Sequence, residues 1–272
     1  MIFKHTNFTL GFAILLGIIL ISVVGTFLND FDAESSDMLA ARLAPGEQGH
    51  WLGTDKNGFD VAARVFAGAG LTLVTAVSAM LIAFVLALPL GAFSGYVGGR
   101  WDSFVSMVIN TMLSFPSLLT AICIVSLFDS KSLINLLVAV VLVEIPRVAR
   151  QARVAFMVEK HKDYVMASQA MGASSWRQLF RTILPNCLSP IIVVTTMGMA
   201  GAILEIAGLS FIGLGAEPGT AEWGLMMAEA KGVFRTLPWT MLAPGLGVAL
   251  AVLSFNLMGD GLQDCLNVKL SK

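Results

Sequence analysis

The feature that most constrains this chain is a set of long apolar runs that contain few or no charges. A run of about 18 or more such residues is long enough to cross the hydrocarbon core, and there only a helix satisfies every backbone hydrogen bond within one segment. The first run covers Phe8 to Leu28, the second Ala67 to Tyr96, and the third Phe104 to Phe128. A short fourth starts at Ser132, reaches Glu144 and is closed by Pro146, since proline lacks the N–H that a helix interior needs. The fifth covers Leu188 to Leu214 and the sixth Leu237 to Met258. The reading is an all-α integral membrane protein with about six spans, in one domain over residues 1–272. Composition agrees: 56% of the residues are hydrophobic and 13% charged, against roughly a quarter charged in soluble domains. The first run is too long for the apolar core of a signal peptide and no A-x-A site follows, so it reads as a retained span.

Orientation follows from lysine and arginine, which stay on the cytoplasmic side during insertion. The segment from Pro146 to Asn186 holds Arg147, Arg150, Arg153, Lys160, Lys162, Arg177 and Arg181 against Glu159 and Asp163. It reads as cytoplasmic. The segment from Asn29 to Phe66 is acidic and reads as an outside loop. An even number of spans then leaves both termini inside, in keeping with Lys4, Lys269 and Lys272.

The basic loop is much longer than an ordinary helix connection. Its middle, from Asp163 to Ser174, carries small and apolar side chains at helical spacing; Gly172 suits a helix end, and Ser174 or Ser175 a cap for the next helix. Such a helix suits a groove on a partner or the membrane surface, and the pattern does not choose between them. Two carboxylates fall inside expected spans, where a charge is costly unless paired, hydrated or neutralised. Glu144 has Arg147 one turn away as an ion-pair partner, with a substrate role as the alternative. Glu205, with Ser210 close behind it, either faces a translocation path or bonds a neighbouring helix. Gly91, Gly95 and Gly99 recur at GxxxG spacing, expected for helix packing within the chain rather than for dimerisation.

Three function classes are open to such a chain. An intramembrane enzyme is poorly supported, because the sequence has no HExxH, GxSxG or paired intramembrane aspartates. A secondary transporter would place its ion coupling on Glu205 alone. The third class is the translocation subunit of an ATP-driven importer, and here the absence of G-x-x-x-x-G-K-[ST] means that another polypeptide must bind the nucleotide. Cys123, Cys187 and Cys265 show no CxxC or Cys/His spacing and read as buried small residues, with no metal site expected. His5, His50 and His161 all lie outside the expected spans.

The stretch from Tyr164 to Ser174, followed by Ile183-Leu184-Pro185-Asn186, resembles the signature loop of membrane subunits of binding-protein-dependent ABC importers. Further blocks extend the resemblance to the second permease of the dipeptide, oligopeptide and nickel branch. They are His50-Trp51-Leu52-Gly53-Thr54-Asp55, Gly95-Tyr96-Val97-Gly98-Gly99, Phe115-Pro116, Leu209 to Gly215, Glu222-Trp223-Gly224 and Phe255 to Leu262. The resemblance implies the type I ABC importer permease fold with a cytoplasmic coupling helix at about 163–173. It places ATPase coupling on Asp163, Tyr164, Met166, Ala167, Ala170, Gly172 and Ala173. Outside loops carrying Trp51, Asp55, Glu222 and Trp223 would meet a binding protein, with an interfacial anchor as the alternative for Trp223. It also implies the partners: a homologous permease, two ATPase subunits that use ATP and Mg, and a periplasmic or lipid-anchored binding protein, all at a bacterial inner membrane. The implied cargo is small peptides, with nickel or nickel chelates as the alternative. Met166 replaces the glutamate common in the family signature, Phe59 an arginine, and Ala69 and Gly70 stand where an arginine often precedes the second span.

Overall fold

The computed structural model describes residues 5–270, with side chains through 266. Lys4 and Lys272 lie outside the described residues, as does the side chain of Lys269. The described chain is built from helices: α1 (Thr6–Leu28), α2 (Val61–Val97), α3 (Gly99–Leu113), α4 (Ser117–Val125), α5 (Leu133–Glu159) and α6 (Asp163–Ala170). Then α7 (Ser175–Arg177) runs through a π-helical stretch, Gln178–Ile183, into α8 (Leu184–Phe211), followed by α9 (Trp223–Ala230) and α10 (Trp239–Leu270).

Four helical stretches are long and apolar enough to cross a membrane: α1, α2, Ser175–Phe211 and α10. The bent pair α3–α4 makes a fifth if it counts as one span. The expected six are therefore not reached on length and composition. The shortfall is α5, which has 27 residues but is free of charge only from Leu133 to Val143; Glu144, Arg147, Arg150, Arg153 and Glu159 occupy the remainder. Two boundaries also need correction. Pro146 does not close this helix, which runs on to Glu159, because losing one intrahelical bond is offset by packing along the whole length. The third run is not a single rod: it breaks at Ser114-Phe115-Pro116 and turns by 89°, since the residue before proline is pushed out of helical conformation.

The second helix starts at Val61 rather than near Ala67, because Asp60 caps it by accepting the Ala63 N–H at 2.6 Å and Arg64 in its first turn is buried among partners. Its inner face is a stripe of fully buried alanines, Ala76, Ala79, Ala83 and Ala87. In lipid the hydrophobic effect does not drive helices together, so close packing of small residues carries association. Gly91 and Gly95 lie against the α5 backbone at Ala149 and Arg153, so the GxxxG pattern packs α2 on α5 inside this chain. Gly11 lets α1 lie equally close to α10 at Ser254 and Met258. Between these pairs α8 is buried along Ile191, Ile203, Ile206 and Leu209.

Residues 29–60 form a compact lobe rather than a loose loop. Asp60 takes the His50 ring nitrogen at 2.8 Å and the Asn29 amide at 3.0 Å, and the Phe31 and His50 rings stack with centroids 3.9 Å apart. The Thr54 hydroxyl donates to the Ala40 carbonyl and accepts the Leu43 N–H.

Candidate functional site

The most exposed functional candidate is the face around α6. Val165 is buried and anchors it, while Asp163, Tyr164, Met166, Ala167, Ala170 and Gly172 are exposed and Ala173 is half-buried. Continuing past the turn, Met171 is 82% and Trp176 73% exposed, a large apolar surface in a segment rich in charge. Gly172 ends the helix in the left-handed region, at φ +83°, which side-chain-bearing residues rarely adopt. The hydroxyl of Ser174 caps α7 by accepting the Arg177 N–H.

The mounting of α6 is more specific than the sequence suggested. The Tyr164 hydroxyl donates to Glu159, the last residue of α5, at 2.5 Å and accepts from the Asn186 side chain, in the first turn of α8, at 3.2 Å. Lys162 pairs with the other Glu159 oxygen at 2.7 Å. Burial, and then the Glu159 carboxylate, raise the Tyr164 pKa above the usual phenol range, so the hydroxyl keeps its proton. Neighbouring bonds bring in α2: Lys160 donates to the Gly95 and Tyr96 carbonyls, and the Tyr96 hydroxyl donates to Gln178 at 3.1 Å. At the start of α3, Asp102 holds Arg153 through two bonds of 2.5 and 2.7 Å. Thus the ends of α2, α5 and α8 meet beneath one exposed helix. Sequence reading found the helix but not Glu159 and Asn186 as its anchors; a tyrosine five residues after a glutamate was the available signal.

Within the membrane-spanning part, Glu144 is fully buried and its Oε1 accepts from Arg147 at 2.7 Å, which is the expected local ion pair. Its Oε2 and the Oε2 of Glu205 have no hydrogen-bond partner among the described residues. Glu205 on α8 is half-buried. Ser210 is fully buried against Gly215 and Gly224, a packing contact of the kind the helix-pairing alternative expects.

On the other side, the structure separates the four residues expected to face outward. Trp51 is 49% exposed and rests edge-on against Phe66. Asp55 instead accepts from Arg64 at 3.0 Å and from the Asn57 and Phe59 N–H groups. Glu222 and Trp223 are buried and do not form an outward surface. Glu222 caps α9 through the Gly224 and Leu225 N–H groups, both at 2.9 Å, and takes the Thr72 hydroxyl, while Trp223 donates its indole N–H to the Val65 carbonyl at 3.0 Å. Arg64, which sequence reading counted only as one charge of the outside loop, is buried between Asp55 and Glu229, with a further bond to the Thr220 carbonyl. It ties the lobe of residues 29–60 to α9.

Comparison with known proteins bears on this arrangement. Residues 87–272 match the family described as binding-protein-dependent transport system inner membrane component. The dipeptide transport system permease protein DppC of Haemophilus influenzae is 40% identical over 268 residues, covering 97% of this chain and 90% of the relative. The glutathione transport system permease protein GsiD of Pectobacterium atrosepticum is 36% identical over 268 residues, covering 98% of this chain and 88% of the relative. A chain of the MetNI methionine ABC transporter, solved in inward-facing conformations, superposes with a TM-score of 0.62 at 18% identity, over 75% of this chain and 96% of that one. That likeness extends the agreement to the fold.

Proposed function

Because the chain belongs to the family of binding-protein-dependent transport system inner membrane components, we propose that it is one permease subunit of an ABC importer of short peptides in a bacterial inner membrane. The cargo class follows from relatives whose names specify dipeptides and glutathione. In this reading a homologous permease supplies the other half of the path, and a binding protein delivers cargo to the outer lobe near Trp51. Two ATPase subunits bind ATP and Mg, so hydrolysis takes place outside this chain. The basic segment around α6 is cytoplasmic and both termini are inside.

The observation that carries the proposal is the exposed α6 face, fastened to the ends of α5 and α8 through Tyr164. A force applied there by a closing ATPase reaches two long helices at once, through a charge-assisted bond to α5 and a neutral one to α8 rather than through a slack linker. Ala167, Ala170 and Gly172 project little beyond the backbone, which lets a groove approach closely. Met166, 52% exposed, supplies an apolar contact in place of the carboxylate common in the family signature.

The test uses the assembled complex in proteoliposomes. Gly172→Trp, or bulky residues at Ala167 and Ala170, should abolish peptide-stimulated ATP turnover while insertion in the membrane persists. Normal transport-dependent turnover in these variants would refute docking at α6.

A further inference from the structure

Of the four long apolar stretches α1 is the least buried, and glycine contacts pin it near both ends. Towards its N-terminus Gly11 lies against the α10 backbone at Ser254 and Met258; towards the lobe of residues 29–60 Gly25 lies against the Phe66 ring of α2. The helix therefore crosses from α10 towards α2 and cannot close on the first half of α10. What remains is a groove of about 550 Å³, walled by Ile18 and Ile21 of α1 and by Leu242, Leu246 and Leu250 of α10, with Phe66 at its lobe end. Leu242 and Leu246 are each 60% exposed, so the groove opens sideways into the membrane.

Dimensions and chemistry restrict what can fill it. From Trp239 to Leu250 the groove follows α10 for about 16 Å, at a rise of about 1.5 Å per residue. One leaflet of hydrocarbon is about 15 Å deep, half of a core of roughly 30 Å. Trp239 stands at the lobe end, and tryptophan favours the level where headgroups meet hydrocarbon. Just beyond it is a cation. Arg235 is exposed, its side chain has no ion pair or hydrogen bond among the described residues, and it lies three residues ahead of Pro238, a groove residue. The turn that carries it is closed by the Thr236 and Leu237 N–H groups on the Val233 carbonyl, which keeps Arg235 close to the mouth. A helix of another subunit would need a seam of small residues for close approach. Here Gly11, Gly25 and Gly247 are already taken, against α10, Phe66 and Trp223, and the open walls carry isoleucine and leucine.

We propose that this groove is a resident phospholipid site: one acyl chain fills it from the leaflet on the lobe's side, and the phosphate sits at Arg235. A chain lodged there touches α1, α2 and α10, whereas a lipid on the open surface touches one face. Dispersion contacts sum over those walls, so the resident lipid exchanges more slowly than its neighbours. It packs α1 where the two glycine contacts leave that helix unsupported.

The experiment reconstitutes the full complex in vesicles of phosphatidylethanolamine and phosphatidylglycerol, the latter carrying a diazirine midway along one acyl chain. Illumination before and after exhaustive detergent exchange, followed by mass spectrometry of the peptides, maps the lipid adducts. Adducts between Leu242 and Leu250 should survive exchange, while those at Val85 and Leu86, which are 64% and 54% exposed on α2, should fall at least tenfold. Loss of both sets in step overturns the site, and so does an absence of groove adducts before exchange, the result expected if another subunit covers it. Arg235→Gln, at an exposed position, should lower the retained groove adduct at least fivefold, and Arg235→Lys should keep it within about twofold. Unchanged retention in Arg235→Gln overturns the assignment of the phosphate to Arg235 and the proposal with it.

Discussion

Replacing Tyr164 with phenylalanine removes one oxygen atom and leaves the aromatic ring, so it isolates the fastening of α6. Two bonds are lost: the 2.5 Å donation to Glu159 and the 3.2 Å acceptance from Asn186. A hydrogen bond to a charged group contributes about 1.5–3 kcal/mol and a neutral one about 0.5–1.5 kcal/mol. Tyr164 is 40% exposed, so water replaces part of both. Glu159 also keeps its pair with Lys162, and Asn186 its bond to the Thr182 carbonyl. A net loss of about 1–1.5 kcal/mol is expected, close to a tenfold rise in the population of locally opened α6. Hydrogen exchange reads this directly at the Met171 amide, which is bonded to the Ala167 carbonyl within the last turn. Exchange there should accelerate about tenfold, while amides in the middle of α2 remain unchanged. In proteoliposomes, peptide transported per ATP should fall as a looser helix transmits less of the ATPase stroke. Exchange within twofold of the unmodified protein would refute the fastening. Its pH dependence has a definite sign: the folded-state pKa is raised, so the tyrosine bond is fully present below the ordinary phenol range of about 10 and is lost only above it. Exchange at Met171, corrected for intrinsic rate, should therefore show no Tyr164-linked opening up to pH 9.

Two more substitutions probe the frame that holds these sites. In Gly91→Val, a Cβ would sit 2.7 Å from the Ala152 Cβ and 2.9 Å from the Arg153 nitrogen, so α2 and α5 must separate at a cost of about 1–3 kcal/mol; thermal unfolding of the purified complex should move down by several degrees, and an unmoved midpoint contradicts the packing. In Glu222→Ala, α9 loses its cap and Thr72 its buried acceptor, a loss of about 2 kcal/mol. Protease sensitivity between α8 and α10 should then rise; unchanged cleavage would return Glu222 to the outer surface.

Legibility followed the range of the interactions. The spanning helices could be read because lipid imposes a rule on each segment alone: a long uncharged run must close its own hydrogen bonds. The helix around Tyr164, its end at Gly172 and the Glu144–Arg147 pair were legible for the same reason, since each depends on neighbours within a turn or two. Where a segment met partners distant in sequence, local rules failed. Pro146 reads as a stop, yet α5 continues because α2 packs along it at Gly91 and Gly95. Glu222 and Trp223 read as an outward surface, yet Thr72 and the Val65 carbonyl take them inside. Arg64 read as a loop charge, yet Asp55 and Glu229 bury it.

The sequence by itself therefore determined that this chain lives in a membrane as a set of apolar helices, and carried the motifs of its permease family. Only the tertiary structure decided that Glu159 and Asn186 hold α6, and that Arg64, Glu222 and Trp223 are buried between elements distant in the chain. The physical reason is that a membrane acts on every residue of a span alike, whereas a hydrogen bond or a charge pair between distant helices exists only once their backbones are brought within a few ångströms.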